Sequence, residues 1–469
     1  MSPMSRLHRE EPGKFPERVE PACRAAHYQG LPSLASDRDS RLLVHVRRTV
    51  DEHVSFPTVD QVKDAITRLS QVSKGVRVDQ IGNSRMREPL RVVSMGAGSR
   101  HVLVIAGAHA NEPVGFHTML ALAGLLSEMP AFADGWTWHF LPVWDPDAAS
   151  LNRWYTGQLT AWRYYRGFYR PAVGGQPGFT FPVSSAGRVF DRPLPETWAV
   201  MHLIDRLHPD LVLDLHNGEI DSRAWFILNR RWEGLAEGLR SVAARGGLSM
   251  ADTTSEYVGW ESDGPGVFIE PETAPYGQLS TPYGASLNQY LTRLTLSVTP
   301  EVPLFRTRLP QPPPDGPGKG LTQVAGEMDA SAEILTDCRA SVSSDLTVRT
   351  PFEPAAMLQI DWGRRLAARA RDWPSEPTPA DYASETRTMH QIRLRAAGLL
   401  LRMLAAETAA GNQAPAIRAA TTQLDVQFNE WFTSFEEMLN PQPLPIEDLV
   451  QVQANTALLA ADHLRTANP

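Results

Sequence analysis

Two histidines and a glutamate define the chemistry this chain can offer. In Gly107-Ala-His109-Ala-Asn-Glu112-Pro-Val-Gly115 an imidazole and a carboxylate stand three residues apart. At a turn such a pair can point into one cleft and supply nitrogen and oxygen ligands to zinc, a borderline metal that accepts both. The spacing alone is a weak signal, since His-x-x-Glu also occurs at His8 to Glu11 and at His216 to Glu219. The first of these falls in a stretch with no predicted structure to preorganise it. His216 strengthens the motif at 109, because it closes the apolar run Leu211-Val-Leu-Asp-Leu215. A catalytic zinc takes three protein ligands and keeps a position open for water, and His109, Glu112 and His216 make such a set for one Zn2+ per chain. Taken alone, His216 reads first as a hydrogen-bonded histidine at a strand end, and it is the pairing with the motif at 109 that favours a ligand. Strand alternation places Asp214 on the same face as His216. There it either orients the imidazole of a ligand or pairs with a basic residue as an ordinary buried acid.

Ligands so far apart in sequence need elements that bring them together. After Thr58, a suitable N-cap, Val59, Val62, Ile66 and Leu69 recur at helical spacing, which predicts an amphipathic helix ending near Lys74-Gly75. Strands are expected at Val76 to Ile81 and Leu90 to Met95, separated by a turn at Gly82-Asn83-Ser84. The run His101 to Ala106 is nearly all apolar, as a strand covered on both faces should be, and it breaks at Gly107. Val114 to Leu126 then has helical spacing, so the His109 motif sits in a loop between strand and helix. The same alternation continues with a strand at Trp138 to Val143, a helix at Glu196 to Leu207, a strand at Leu211 to Leu215 and a further run, Leu294 to Val298, before Thr299-Pro300-Glu301. This is α/β syntax, and in open α/β sheets the site lies beyond the carboxyl ends of the strands.

The remainder of the chain has a different character. Residues 1–40 are polar, proline-bearing and without apolar periodicity, and read as a flexible leader. Residues 306–320 carry Pro310, Pro312, Pro313, Pro314 and Pro317 and read as a connection that continues neither sheet nor helix. Beyond it, Met357 to Ala370, Arg387 to Ala410 and Ala416 to Met438 are rich in Ala, Leu and Arg at helical spacing. A mostly helical appendage of about three to five helices is expected over 321–469.

Composition excludes several classes. With 469 residues, 42% hydrophobic and 21% charged, the chain reads as a soluble globular protein, and no apolar run is long enough to span a bilayer. The amino terminus lacks the continuous apolar stretch of a secretory signal, so a cytoplasmic location is expected. A net charge of −8 and the absence of a basic, aromatic-interleaved patch argue against nucleic acid as a partner. Cys23 and Cys338 have neither the spacing of a zinc site nor the count of a disulfide scaffold. Phosphate-binding loops of the Gly-x-x-x-x-Gly-Lys type, Gly-x-Gly-x-x-Gly turns and Gly-x-Ser-x-Gly elbows are all missing.

The order of motifs resembles the M14 family of zinc carboxypeptidases. The chain offers His109-Ala-Asn-Glu112, Asp145-Pro-Asp147-Ala, Pro195-Glu-Thr197, Asp214-Leu-His216 and Glu301-Val-Pro303 in the family's sequence of elements. Phe56-Pro-Thr58 through Ile81-Gly-Asn-Ser84 is similar to the family's first helix and hairpin. The likeness covers residues 56–305 and suggests a divergent member of bacterial type. It implies a three-layer α/β/α catalytic domain around a mixed, largely eight-stranded sheet, with one zinc at the strand ends. Glu301 then matches the general base that takes a proton from zinc-bound water and hands it to the leaving amine. The implied activity is hydrolysis of a carboxy-terminal amide bond in a peptide or peptide-like conjugate.

Substrate contacts are less defined. The family's Asn-Arg pair has two candidate matches, Asn152-Arg153 and the degraded Asp191-Arg192; arginine suits a terminal carboxylate because its planar fork matches it. Arg163, Arg166 and Arg170 lie among Trp154, Tyr155, Trp162, Tyr164, Tyr165, Phe168 and Tyr169, a stretch that reads as a wall or lid over the cleft. One of them, Arg170 included, could polarise the scissile carbonyl; the alternative is a packed aromatic loop with surface arginines. Asn111 stands where many members carry arginine, Ala148 replaces the glycine of the turn, and a closing tyrosine could be Tyr276, Tyr283 or Tyr290. Two other functions fit: an aspartoacylase-like deacylase of small N-acyl amino acids, and a non-catalytic binding or scaffold protein on the same fold.

Overall fold

The computed structural model describes residues 32–467, apart from 52–54, 74, 186–187, 221–222, 252–259, 273–282, 293 and 374–375. Most of the expected leader, residues 1–31, lies outside the described residues. Its last part does not stay irregular, because the helix Pro32–Asp51 begins there. The chain divides into two units, Met1–Arg41 and Leu42–Pro469, and every strand belongs to the second.

That unit is built on a mixed sheet of ten strands: β1 (Arg77–Asn83), β2 (Pro89–Gly96), β3 (Arg100–Ala106), β4 (Trp136–Leu141), β5 (Leu211–Gly218), β6 (Arg223–Leu228), β7 (Ser249–Met250), β8 (Glu261–Ser262), β9 (Val267–Ile269) and β10 (Leu296–Pro303). Their spatial order is β1-β2-β4-β3-β5-β10-β6-β9-β8, with β7 paired to β6. The expected eight strands are those of three or more residues; the two-residue pieces β7 and β8 are too short to leave a periodic signal. The centre, β4-β3-β5-β10, is parallel, and its register aligns Glu301 with His216 on adjacent strands.

The apolar run in β3 is buried on both sides, as its composition requires. Val102, Val104 and Ala106 join one core, while Leu103 and Ile105 join another. The first core holds α1 (Val59–Val72), α2 (Val114–Glu128) and α4 (Leu235–Arg245), and the second holds α3 (Pro195–Leu207). Helices therefore cover both faces, giving the α/β/α layering. The local signals operate as expected. Thr58 closes a capping box with Gln61 at the start of α1, and Pro195 opens α3 where its missing N–H is not needed.

Five long helices come after the sheet: α5 (Pro317–Ser341), α6 (Phe352–Arg371), α7 (Pro379–Ala409), α8 (Pro415–Leu439) and α9 (Ile446–Ala467). The proline-rich connection is thus shorter than expected, since Pro317 does not break a helix but starts one at its first turn. The five helices are also not a separate body, because the unit Leu42–Pro469 includes them. α9 packs on α2, α4 and the central strands, and α7 packs on the segment Ala161–Gly167. Close approach there depends on Gly398, where a Cβ would collide with the Tyr165 carbonyl. Among the described residues no helix is long and apolar enough to cross a membrane.

Two buried histidines make stability depend on pH. Burial, with Arg393 beside it, pushes His390 down to about 3; burial, with His101, Arg77 and Arg206 nearby, pushes His139 down to about 4. Both folded-state values lie below the ordinary 6.5, so the unfolded chain takes up protons first as pH falls. The stability these neutral imidazoles confer is complete above pH about 6.5 and is lost on acidification, at up to about 1.4 kcal/mol per pH unit for each. Urea midpoints measured from pH 7 to 5 should therefore fall less steeply in His390→Gln than in the parent protein. Equal slopes would remove His390 from this account.

Candidate metal centre

β3 ends at Ala106, and Gly107, with φ of +66°, turns the chain out of the sheet. Next comes a tight turn in which the Glu112 amide donates to the His109 carbonyl at 3.1 Å, bringing both side chains to the same side. His216 and Glu301 come from the parallel strands β5 and β10, side by side in register. Both strands run further than their apolar residues suggest, to Gly218 and Pro303, so these polar residues lie within the ladder rather than in turns after it.

The three sequence-derived ligand candidates converge. His109 Nδ1 lies 2.8 Å from Glu112 Oε1, His216 Nδ1 lies 2.7 Å from Glu112 Oε2, and the two Nδ1 atoms are 3.0 Å apart. One ligand atom from each residue falls within 4.8 Å of the others, and all three residues are buried. Glu301 Oε1 is 3.9 Å from His216 Nδ1. His216 Nε2 lies 3.0 Å from Asp214 Oδ2, so of the two roles open to Asp214 the structure shows the contact with the histidine.

The electrostatics divide the histidines. Burial, reinforced by Arg170, pushes His109 down to about 3, so its ring is neutral. Burial also opposes charge on His216, but the Asp214 and Glu112 carboxylates outweigh it and hold the pKa well above the ordinary histidine value. Glu112 is likewise held well below the usual carboxylate range, the two histidines overcoming the cost of its burial. A carboxylate and two imidazoles converging this closely, with Asp214 fixing the proton of His216 on Nε2, are a donor set that fits a divalent zinc on the Nδ1 atoms.

The substrate-contact candidates fare differently. Arg170 reaches the cluster: its Nη2 donates to His109 Nε2 at 2.6 Å, and its Nη1 lies 3.5 Å from Glu112 Oε1. Asn152 is buried and its amide is spent on the protein. Nδ2 donates to the carbonyls of Ala110 and Tyr169 at 2.8 and 2.9 Å, and Oδ1 accepts from the Tyr169 amide at 2.9 Å and from Trp154 Nε1 at 3.2 Å. It ties the His109 loop to the stretch of chain leading to Arg170 and has no group left for a ligand. Arg153 begins a 3-10 turn, and its side chain lies outside the described residues. Arg192 stands almost wholly in solvent beside Asp191.

The aromatic stretch is a packed wall and not a lid. Trp154, Tyr155, Tyr164, Tyr165, Phe168 and Tyr169 are buried, and Trp162 alone of the seven is exposed. Arg166 pairs with Asp425 at 2.8 Å and Arg163 with the Thr156 carbonyl at 2.6 Å, which leaves Arg170 as the arginine of that stretch in contact with the cluster. Tyr290 donates to Asp205 at 2.9 Å, and Tyr276 lies outside the described residues.

Several supporting residues were not anticipated. Fully buried Gln453 of α9 donates to the His216 carbonyl at 2.6 Å and accepts from Thr118 of α2 at 2.7 Å. Its one signal is a polar residue within a mostly apolar helix stripe. Arg85, in the β1–β2 hairpin, pairs with Asp145 at 2.9 Å and Glu196 at 3.0 Å. The Asp145-Pro-Asp147 and Pro195-Glu-Thr197 motifs are thereby bound to each other as scaffold.

Among solved structures, similarity is found to a candidate metallopeptidase from Shewanella denitrificans OS217, with 15% identity over 52% of this chain and 81% of that one and a TM-score of 0.36. A metallo-carboxypeptidase from Burkholderia cenocepacia shares 17% identity over 53% and 60% of the two chains, with a TM-score of 0.32. Bovine thrombin-activatable fibrinolysis inhibitor shares 17% over 41% and 71%, with a TM-score of 0.28. Likenesses at these TM-scores carry no argument about the chemistry of this chain. No curated protein matches it. Residues 63–176 match the family model of the zinc carboxypeptidases, peptidase M14. The matched segment contains His109, Glu112 and the strand–loop–helix frame around them, while His216 and Glu301 lie beyond it, so the likeness to the zinc carboxypeptidases is shown for this part of the chain.

Proposed function

We propose that this protein is a zinc-dependent metallocarboxypeptidase that hydrolyses the carboxy-terminal amide bond of a peptide or peptide-like conjugate. The observation that carries the reading is the convergence of His109, Glu112 and His216 in one buried cluster with Glu301 3.9 Å from its edge. Zinc held there supplies a Lewis acid that polarises the scissile carbonyl and lowers the pKa of water.

The chain's own residues do the rest. Glu301, on the strand beside His216, takes the proton of the attacking water and returns it to the departing amine. Asp214 keeps the His216 proton on Nε2 and so keeps Nδ1 directed at the metal. His109 would offer Nδ1 to the metal, and Arg170, whose Nη2 lies 2.6 Å from His109 Nε2, would supply its guanidinium to the substrate's carbonyl or carboxylate.

A second reading has its own support. With Asn152 spent on the backbone and Arg192 in solvent, two of the expected contacts for a terminal carboxylate are lacking. This favours a deacylase of small N-acyl amino acids. Elemental analysis should give close to one zinc per chain, and a peptide should be cleaved while its carboxy-amidated twin is not. Equal turnover of the two would reject the carboxypeptidase reading in favour of the deacylase.

A further inference from the structure

The two ligand-bearing segments are joined by a second path that does not pass through the ligands. Asn111, between His109 and Glu112, donates from Nδ2 to the Tyr164 hydroxyl at 3.0 Å. That hydroxyl donates in turn to Glu219 Oε1, three residues after His216. Glu219 is buried, and α7 holds it. Arg395 donates to Oε1 from Nε at 3.0 Å and from Nη2 at 2.5 Å, and Gln391 donates to Oε2 at 2.6 Å. The Tyr164 ring is itself packed among Trp154, Tyr165, Phe168 and Phe305, with centroids 4.6 to 6.3 Å away.

Removing a buried carboxylate from water is costly, and a single arginine suffices to neutralise it. Here the carboxylate spends a further contact on a hydroxyl whose other partner lies inside the His109 loop. We infer that Tyr164 is a positioning residue of the metal centre, its hydroxyl fixing the spacing of the His109–Glu112 loop and the His216 strand, with α7 anchoring the link through Glu219. The inference rests on the reading of the cluster as a zinc site. It gives the carboxy-terminal helices a place in that site, since Arg395 and Gln391 belong to them.

Groups outside the ligand set that orient it typically control metal affinity by about 10–100-fold. Tyr164→Phe keeps the ring packing and removes the hydroxyl alone. It should raise the zinc dissociation constant, measured by chelator competition on the full chain, by about 10-fold or more, and alter the visible spectrum of the cobalt(II)-substituted protein. Asn111→Ala cuts the path at its other end and should act in the same direction, which covers the case of a Tyr164 variant that does not fold. Ile360→Val, at a buried position of α6 that takes no part in these hydrogen bonds, should lower thermal stability and leave both readouts unchanged. A folded Tyr164→Phe or Asn111→Ala protein with wild-type zinc affinity and cobalt spectrum overturns the inference, reducing the network to fold stabilisation. A wild-type protein that takes up no zinc overturns the metal reading itself, and the inference with it.

Discussion

Glu301→Gln should keep its zinc and lose hydrolysis, with kcat down by about 10²–10⁴-fold, the range that a positioned general base contributes. The substitution preserves volume and hydrogen-bonding reach but cannot accept the proton of the attacking water. Glu301 is buried on β10 and lies 3.9 Å from His216 Nδ1, outside the tight contacts that link the other three residues. Its removal should therefore spare the ligand set. Zinc content and turnover measured on the same preparation separate the two effects. Turnover within a few-fold of the parent would withdraw Glu301 as the base, and lost zinc would make it a ligand instead.

His216→Ala should abolish zinc binding and destabilise the fold together. An outer-sphere partner alone controls metal affinity by about 10–100-fold, so losing a ligand should cost at least about 100-fold. The stability effect has a separate cause. His216 stands between Asp214 Oδ2 at 3.0 Å and Glu112 Oε2 at 2.7 Å, and both carboxylates are buried. Deleting the cation between two buried acids leaves uncompensated charge, which typically costs about 3–5 kcal/mol. Calorimetry should therefore show a lower Tm even in the presence of chelator, when zinc contributes nothing to either protein. Zinc uptake equal to the parent would dismiss His216 as a ligand.

The residues that define the cluster, and the strands and helices that carry them, are legible because their signals are local. A buried strand must be apolar at every position when both faces are covered, and β3 is; a helix start needs a capping residue, and Thr58 is one. The His109-x-x-Glu112 spacing likewise marks a turn that can aim two side chains together. The register that sets Glu301 beside His216 has no such local mark, because it is decided by backbone pairing between β5 and β10, segments far apart in the chain. The proline-rich connection illustrates the limit of a local rule. Proline forbids a helix interior and favours a helix start, and which applies to Pro317 depends on the residues after it.

By itself, then, the sequence determined the α/β class, the ligand candidates and the family they resemble, since periodicity and motif order survive without knowledge of contacts. Only the tertiary structure decided which polar groups are left over for chemistry. It spent Asn152 on backbone carbonyls, left Arg192 in solvent, chose Arg170 from the three arginines of the aromatic wall, and brought Gln453, Arg395 and Gln391 from the carboxy-terminal helices to the centre. Those outcomes depend on which buried donors and acceptors find partners across long separations in the chain, and hydrogen-bond satisfaction is a property of the packed whole.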